Sequence, residues 1–232
     1  MKSLESTDIV ITNGIKTWWT YPIMMKWKKI QRDKLDPKTK DNIISGINSS
    51  LIVDCTCFLE GIFDLAIREK INYQKDGNYK HRINDHLLDR LENAQFNEYQ
   101  KLYYLAFGNE LKDVTDNQKW KAIKSLFSFR NLIVHGSGVL IDYYRVKEKF
   151  QVVGWGKYNS IINYLIEIKL VPKFVKNENT EIDIFESRIA DYYYAKTLEF
   201  TNQFAVEIQS KLLQNEAEEI IEAIEFNDEL EN

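Results

Sequence analysis

The chain has 232 residues, of which 44% are hydrophobic and 13% aromatic, enough to form a sizeable core. Its net charge is −4, but residues 216–232 alone hold eight acids and no Lys or Arg. Removing those eight from the 35 acids leaves 27 acids against 31 basic residues, so the body of the chain is mildly basic. This balance is compatible with RNA and argues against a strong nonspecific DNA binder, which needs a denser positive surface.

Residues 1–38 form a segment rich in aromatic and basic side chains, ending at a turn-like Asp36-Pro37. It does not resemble a secretory signal peptide, because Pro22 interrupts its apolar part and Lys26 follows closely. No stretch of the chain reaches the ~20 apolar residues that span a bilayer. These features predict a soluble, cytoplasmic protein that makes no membrane contact.

The next segment predicts two helices. Apolar residues recur every three or four positions from Thr39 to about Tyr73, which predicts a long core helix. Cys55 and Cys57 lie inside this run, and their spacing favours buried free thiols over a disulfide framework. A loop over 74–79 precedes a second amphipathic pattern, from Arg82 to about Phe107.

A third helix is expected to begin after Asp116, a good N-cap, and to end at Gly136, where a left-handed backbone suits glycine. Alternation around a charged turn then predicts a β hairpin over about 138–155. Residues 157–170 fit a helix or a strand equally well.

A polar linker, 178–183, precedes a last long helix from Ile184 to Leu213. We therefore predict an all-α helical bundle over 39–213, with a small β hairpin insertion after the third core helix. It is flanked by the N-terminal segment 1–38 and an acidic C-terminal tail, 214–232.

The octapeptide Phe129–Gly136, Phe-Arg-Asn-Leu-Ile-Val-His-Gly, closes the third helix. The planar cation of Arg130 suits a phosphate, and His135 is the residue type that exchanges protons near neutral pH. Together they form a minimal set of groups for cleaving a phosphodiester without a metal. Asn131 lies four residues before His135 and shares its helix face. Arg130 lies about 140° round the helix axis from His135, so one copy makes only part of a site.

The spacing Arg130-Asn131-x3-His135-Gly136 resembles the R-x4-6-H signature of the HEPN family. The order of the predicted helices over 39–213 also resembles the HEPN bundle. The resemblance implies Arg130 and His135 as catalytic residues, with Asn131 in support, in a homodimer with a composite site. It implies a metal-independent endoribonuclease that cleaves RNA by 2′-hydroxyl transesterification, without a cofactor. It further implies a toxin or an antiphage defence effector.

Two other interpretations fit the same residues. The chain could be a non-catalytic HEPN-like module that binds a nucleotide or a partner protein, with His135 as a capping residue and Arg130 solvated. It could also be a HEPN toxin controlled by a nucleotidyltransferase antitoxin or another defence-system partner.

Several other residues leave alternatives open. His81, Arg82 and His86 are either a metal site or a solvated helix start, and five-residue spacing places the two histidines on different faces. Glu60 either reaches the cleft between the two copies of the dimer or lies on an exposed face of its helix. Several aromatic residues belong either to the core, to an interface or to a base-stacking surface; these are Trp18, Trp19, Trp27, Tyr192, Tyr193 and Tyr194. The acidic tail, residues 216–232, either solubilises the chain or competes with RNA for the basic cleft.

Overall fold

The computed structural model describes residues 20–36, 41–73, 78–136, 140–156 and 159–208, with the backbone alone for 72–73 and 78–83. Within these ranges it is mostly helical with a small antiparallel sheet, as predicted. The helices are α1 Thr20–Asp33, α2 Asp41–Tyr73, α3 Asn78–Leu91, α4 Phe96–Phe107, α5 Asn117–Val134, α6 Asn159–Glu167 and α7 Ser187–Glu207. The strands are β1 Leu140–Val146, β2 Lys149–Trp155 and β3 Phe174–Val175.

Helix α2 lies at the centre of the bundle and packs against α1, α4, α5 and α7. Its 33 residues bury apolar side chains over most of its length, as the periodicity predicts. The ring of Phe63 lies at the centre of the core, since it contacts aromatic rings from three other helices. These rings are Phe96, Tyr99, Phe127, Phe200 and Phe204, with centroids 5.5–6.5 Å from that of Phe63.

Helix α1 shows that part of the N-terminal segment is helical, which its composition alone does not predict. Arg32 ties α1 to the bundle, although its side chain is almost wholly buried. Its guanidinium donates to Asn48 Oδ1 on α2 at 3.0 Å and to Asp191 Oδ1 on α7 at 2.8 Å. These bonds compensate for burying the charge, as an isolated buried charge would be costly. Residues 1–19 lie outside the described residues.

The prediction of one helix from Arg82 to Phe107 is wrong, because a turn at 92–95 divides it into α3 and α4. No glycine or proline marks this break. Packing accounts for it, since Phe96 stacks on Phe127 of α5 with ring centroids 3.9 Å apart and also contacts Trp120. Tertiary packing of this kind routinely overrides local propensity.

Both predicted ends of the third core helix, α5, are confirmed. The side chain of Asp116 accepts a hydrogen bond from the backbone N–H of Lys119 at 2.9 Å. At the other end His135 is the capping residue, and Gly136 follows with a φ of +58°. This left-handed backbone favours glycine, so the chain can leave the helix sharply at this point.

The hairpin is also confirmed, and a third strand that sequence did not predict joins it in the order β1-β2-β3. One face of the sheet packs on α6, which resolves 157–170 as helical over Asn159–Glu167. Gly154 of β2 marks the closest approach, since a Cβ added there would lie 2.6 Å from the Ile162 Cβ.

Helix α7 begins at Ser187 and runs beside α2. Of its three consecutive tyrosines only Tyr193 is fully buried, where its hydroxyl lies 2.7 Å from Ser125 Oγ of α5; Tyr192 and Tyr194 are half-buried. Among the described helices, none combines the length and apolar content needed to cross a membrane. The acidic tail lies outside the described residues.

Two glycine substitutions test this packing. We expect Gly154→Ala to lower the free energy of unfolding by about 1–3 kcal/mol, because its methyl group overlaps α6. Gly46→Ala, in α2 with nothing within 4 Å of the added Cβ, should instead raise it by about 0.5–1 kcal/mol through helix propensity. Urea denaturation of both variants measures the two effects. An unaffected Gly154→Ala protein would contradict the close contact of β2 with α6.

Candidate functional site

Arg130 lies in a cleft where the ends of α4 and α5 meet the middle of α2. The cleft has a volume of about 200 Å³ and is lined by Glu60, Gln95, Phe96, Asn97, Lys124, Phe127, Ser128, Arg130 and Asn131. The guanidinium donates from Nη1 to Asn131 Oδ1 at 3.0 Å, whereas its buried Nε–H has no acceptor among the described residues. Because an unpaired buried donor is costly, this guanidinium is suited to bind an anionic ligand to which its Nε–H can donate.

Glu60 of α2 lines the same cleft and is half-buried, so it does not lie on a fully exposed face of its helix. Burial raises the pKa of the Glu60 carboxyl, and the positive charge of Arg130 opposes that rise. The two groups are not within ion-pair distance, so Glu60 does not neutralise Arg130 by direct contact. The cleft therefore holds a guanidinium and a carboxyl whose ionised form is disfavoured.

A second set of polar groups lies beside this cleft. The Cys57 thiol is half-buried and hydrogen-bonded to Tyr21 of α1. Burial and the nearby charge of Glu60 raise its pKa, whereas the Tyr21 bond and Arg130 oppose the rise. Cys55 is fully buried, and burial raises the pKa of its thiol to about 12. Both thiols are free, as predicted, but only that of Cys55 is fully buried, and neither resembles an activated nucleophile.

The catalytic residues predicted from the motif are only partly brought together. Arg130 and Asn131 line the cleft and bond to each other. His135 is exposed at the helix end and does not line it, with its backbone N–H bonded to the Asn131 carbonyl at 3.1 Å. Val134 is also exposed beside it. The described chain therefore presents a cationic cleft and a separate, accessible imidazole on one helix end.

Sequence reasoning missed the residues that complete the cleft from outside the motif. Gln95 and Asn97 reach it only because the α3–α4 turn exists, and no local signal marks that turn. Lys124 and Ser128 precede Arg130 by six and two residues on α5. Lys124 and Ser128 are four residues apart, and Ser128 precedes Asn131 by three, so this spacing from Asn131 was the available signal, since residues three or four apart share a helix face.

Other candidates from the sequence fall elsewhere. Trp27 is exposed on α1 and so does not belong to the core of the chain. His86 is exposed on α3, and the side chains of His81 and Arg82 lie outside the described residues, as do Trp18 and Trp19. Across the described parts of the chain, no three His, Cys, Asp or Glu residues group in a way that could hold a metal ion.

Comparison of the chain with protein-family models, with curated proteins and with solved structures gave no match. The interpretation of the cleft therefore depends on the residues and their geometry.

The raised pKa of Glu60 gives a prediction with a defined sign. Ionisation of the Glu60 carboxyl lowers the free energy of unfolding. This loss is complete above the folded-state pKa and absent below the pKa of the unfolded chain, near 4.3. We expect Glu60→Gln to be more stable than wild type at neutral pH, with a difference that shrinks as the pH falls through the folded-state pKa. In an Arg130→Met background the difference should grow, because the opposing cation is lost.

Urea denaturation from pH 4 to pH 8 measures these free energies. Glu178→Gln, at an exposed glutamate, is the control and should stay within about 0.5 kcal/mol of wild type. A Glu60→Gln protein less stable than wild type at neutral pH would show that the ionised carboxylate is favoured instead.

Proposed function

We propose that this chain is a metal-independent endoribonuclease of the HEPN type, with a composite active site formed by two copies. One observation supports it above the others: the Arg130 guanidinium lies in a cleft without a carboxylate partner among the described residues, and an accessible imidazole follows five residues later. A phosphate suits such a guanidinium, which offers paired donors and a permanent charge. The helical content and the position of the motif at the end of α5 agree with the resemblance to HEPN proteins.

The chemistry assigns one role to each group. One His135 removes the proton of a ribose 2′-hydroxyl, and the 2′-oxygen attacks the adjacent phosphorus. The bond from phosphorus to the 5′-oxygen breaks, and the other His135 supplies a proton to that oxygen. The products are a 2′,3′-cyclic phosphate and a 5′-hydroxyl end. Arg130 stabilises the charge that develops on the phosphorane, and Asn131 orients the guanidinium to which it is bonded.

The arrangement of one copy supports a homodimer as part of this proposal. General acid and general base are both needed, yet one chain carries a single histidine at this helix end. The exposed apolar side chain of Val134 between Arg130 and His135 is suited to an interface. A twofold axis beside it would bring two imidazoles and two guanidiniums to one basic surface.

The biological setting is proposed from the family resemblance. A ribonuclease of this kind would act as a toxin or an antiphage effector in the cytoplasm, held in check by an antitoxin or another defence-system partner. The nucleotidyltransferase-controlled toxin is a version of the same proposal, since it uses the same residues.

A non-catalytic binding module is the second candidate, and one observation favours it. His135 does not line the cleft, whereas Lys124, Ser128, Arg130 and Asn131 do. These side chains would hold the phosphate of a nucleotide without any proton transfer. Tight nucleotide binding by a protein that leaves RNA intact would identify this function.

We expect cleavage of a labelled single-stranded RNA to fall about 10²–10⁴-fold in His135→Ala and to fall strongly in Arg130→Ala. EDTA should leave the wild-type rate unchanged. His86→Ala, which removes another exposed histidine, is the matched control and should cleave at the wild-type rate. Equal rates for wild type and His135→Ala, or loss of cleavage in EDTA, would refute the mechanism.

We expect light scattering at micromolar concentration to give a mass near twice 27.5 kDa. Val134→Glu should shift the protein towards the monomer and reduce cleavage in parallel, because a charge is disfavoured at the centre of an interface. Val206→Glu, at an exposed valine on α7, should do neither. A monomeric wild-type protein that cleaves RNA would contradict the composite site.

A further inference from the structure

We infer that the outer face of the sheet is a second site, which binds single-stranded nucleic acid by stacking. The face opposite α6 carries one exposed aromatic ring on each strand: Tyr144 on β1, Trp155 on β2 and Phe174 on β3. The exposed fractions of these side chains are 55%, 58% and 41%. Soluble proteins rarely leave such rings uncovered together without a partner.

The register of the sheet places the three rings on the same side. Tyr144 pairs with Gln151, and Gln151 pairs with Phe174, so these three residues form one row across the sheet. Trp155 lies four residues from Gln151 along β2 and therefore points to the same face. The rings thus span about 10 Å across the strands and about 13 Å along them. A face of this size accommodates two or three stacked bases.

The other face of the sheet confirms this assignment of sides. Val152 and Gly154 are buried and alternate along β2 with the half-buried Gln151 and Val153 and the exposed Trp155. Gly154 packs against α6, and Val175 of β3 is likewise buried. Within the described parts of the chain the aromatic face is therefore the uncovered one, whereas the opposite face is packed against α6.

The charge of this region favours a nucleic acid over a protein as the partner. Across 140–156 and 173–176 the sheet has two acids and five basic residues: Arg145, Lys147, Lys149, Lys173 and Lys176. None of the five forms an ion pair with a described carboxylate, whereas many lysines on the helices do, such as Lys121 with Glu167. Unpaired cations remain available to phosphates.

Two of the lysines lie close to the rings. Lys149 pairs with Val146, which places it on the aromatic face next to the hairpin turn. Lys173 Nζ lies 5.6 Å from the centre of the Phe174 ring. Asp142 is the acid on this face, and it accepts a hydrogen bond from the Tyr144 hydroxyl at 3.4 Å. Rings that stack bases, flanked by cations that contact the backbone, are the usual elements of single-strand recognition.

This inference does not depend on cleavage, so its test uses a probe that lacks the 2′-hydroxyl. The full-length protein is titrated into a labelled oligodeoxythymidylate of roughly a dozen nucleotides, within the site sizes of single-strand binders, and fluorescence anisotropy is recorded. A parallel arm uses oligouridylate with the His135→Ala protein. Binding of either single strand is expected, with weaker binding of the matching duplex.

We expect Tyr144→Ala, Trp155→Ala and Phe174→Ala each to weaken binding about 5- to 150-fold, the range that base stacking implies. Trp155→Phe should retain most of the affinity, because it keeps a stacking ring. Tyr104→Ala is the matched control, since Tyr104 is 54% exposed on α4 and should have no effect. Lys149→Gln and Lys173→Gln should each reduce the slope of log affinity against log salt by about 0.7.

The same affinity in all three aromatic variants, or no binding of either single strand, would overturn the inference. A fall in solution mass on Trp155→Ala would also overturn it, because the face would then be an interface between two copies. Loss of cleavage in His135→Ala with unchanged oligonucleotide binding would support the sheet site and the proposed function separately.

Discussion

The stacking of aromatic rings around Phe63 is the interaction on which the remaining structure depends. This ring joins α2 to α4, α5 and α7, with Phe127 as its contact on α5. Two residues further on, Phe129 stacks on Phe185 at 5.4 Å and meets Tyr193 edge-on at 5.8 Å. Because α5 is held on two sides just before Arg130, the position of the guanidinium is set by the core.

Polar contacts, in contrast, set the position of α1. Arg32 bonds to α2 and α7, and Lys28 pairs with Asp54, which is nearly buried on α2. Burial raises the pKa of Asp54, and the Lys28 bond opposes the rise. Ion pairs like these add little net stability, but their geometry is restrictive. They therefore fix the register in which α1 places Tyr21 against Cys57 beside the cleft, while Trp27 of α1 stays exposed.

Sequence patterns predicted the elements whose determinants are local. The periodicity of α2, the Asp116 cap, the glycine after His135 and the hairpin alternation each act over a few residues, and all four are found. The α3–α4 turn and the two-residue strand β3 depend on contacts with distant parts of the chain, so no local pattern marks them.

The same distinction applies to the cleft. Arg130 and Asn131 belong to one continuous motif and were identified, whereas Glu60 lies 70 positions earlier in the chain. An acid in an apolar helix fits a cleft or an exposed face, and only the packing of α5 on α2 shows that Glu60 lines a cleft. The unpaired Arg130 Nε–H was equally beyond prediction, because it depends on which acceptors the neighbouring helices bring near.

The two thiols of α2 supply a built-in measure of how this bundle opens. Cys55 is fully buried and bonded to Thr197 of α7, so an alkylating reagent reaches it only when α7 separates from α2. Cys57 is half-buried beneath Tyr21, so its exposure requires only that α1 move away. The alkylation rate of Cys57 therefore reports the free energy of detaching α1, and that of Cys55 reports the free energy of separating α7 from α2. The ratio of the two rates compares these free energies. The native sequence permits this comparison without an introduced label.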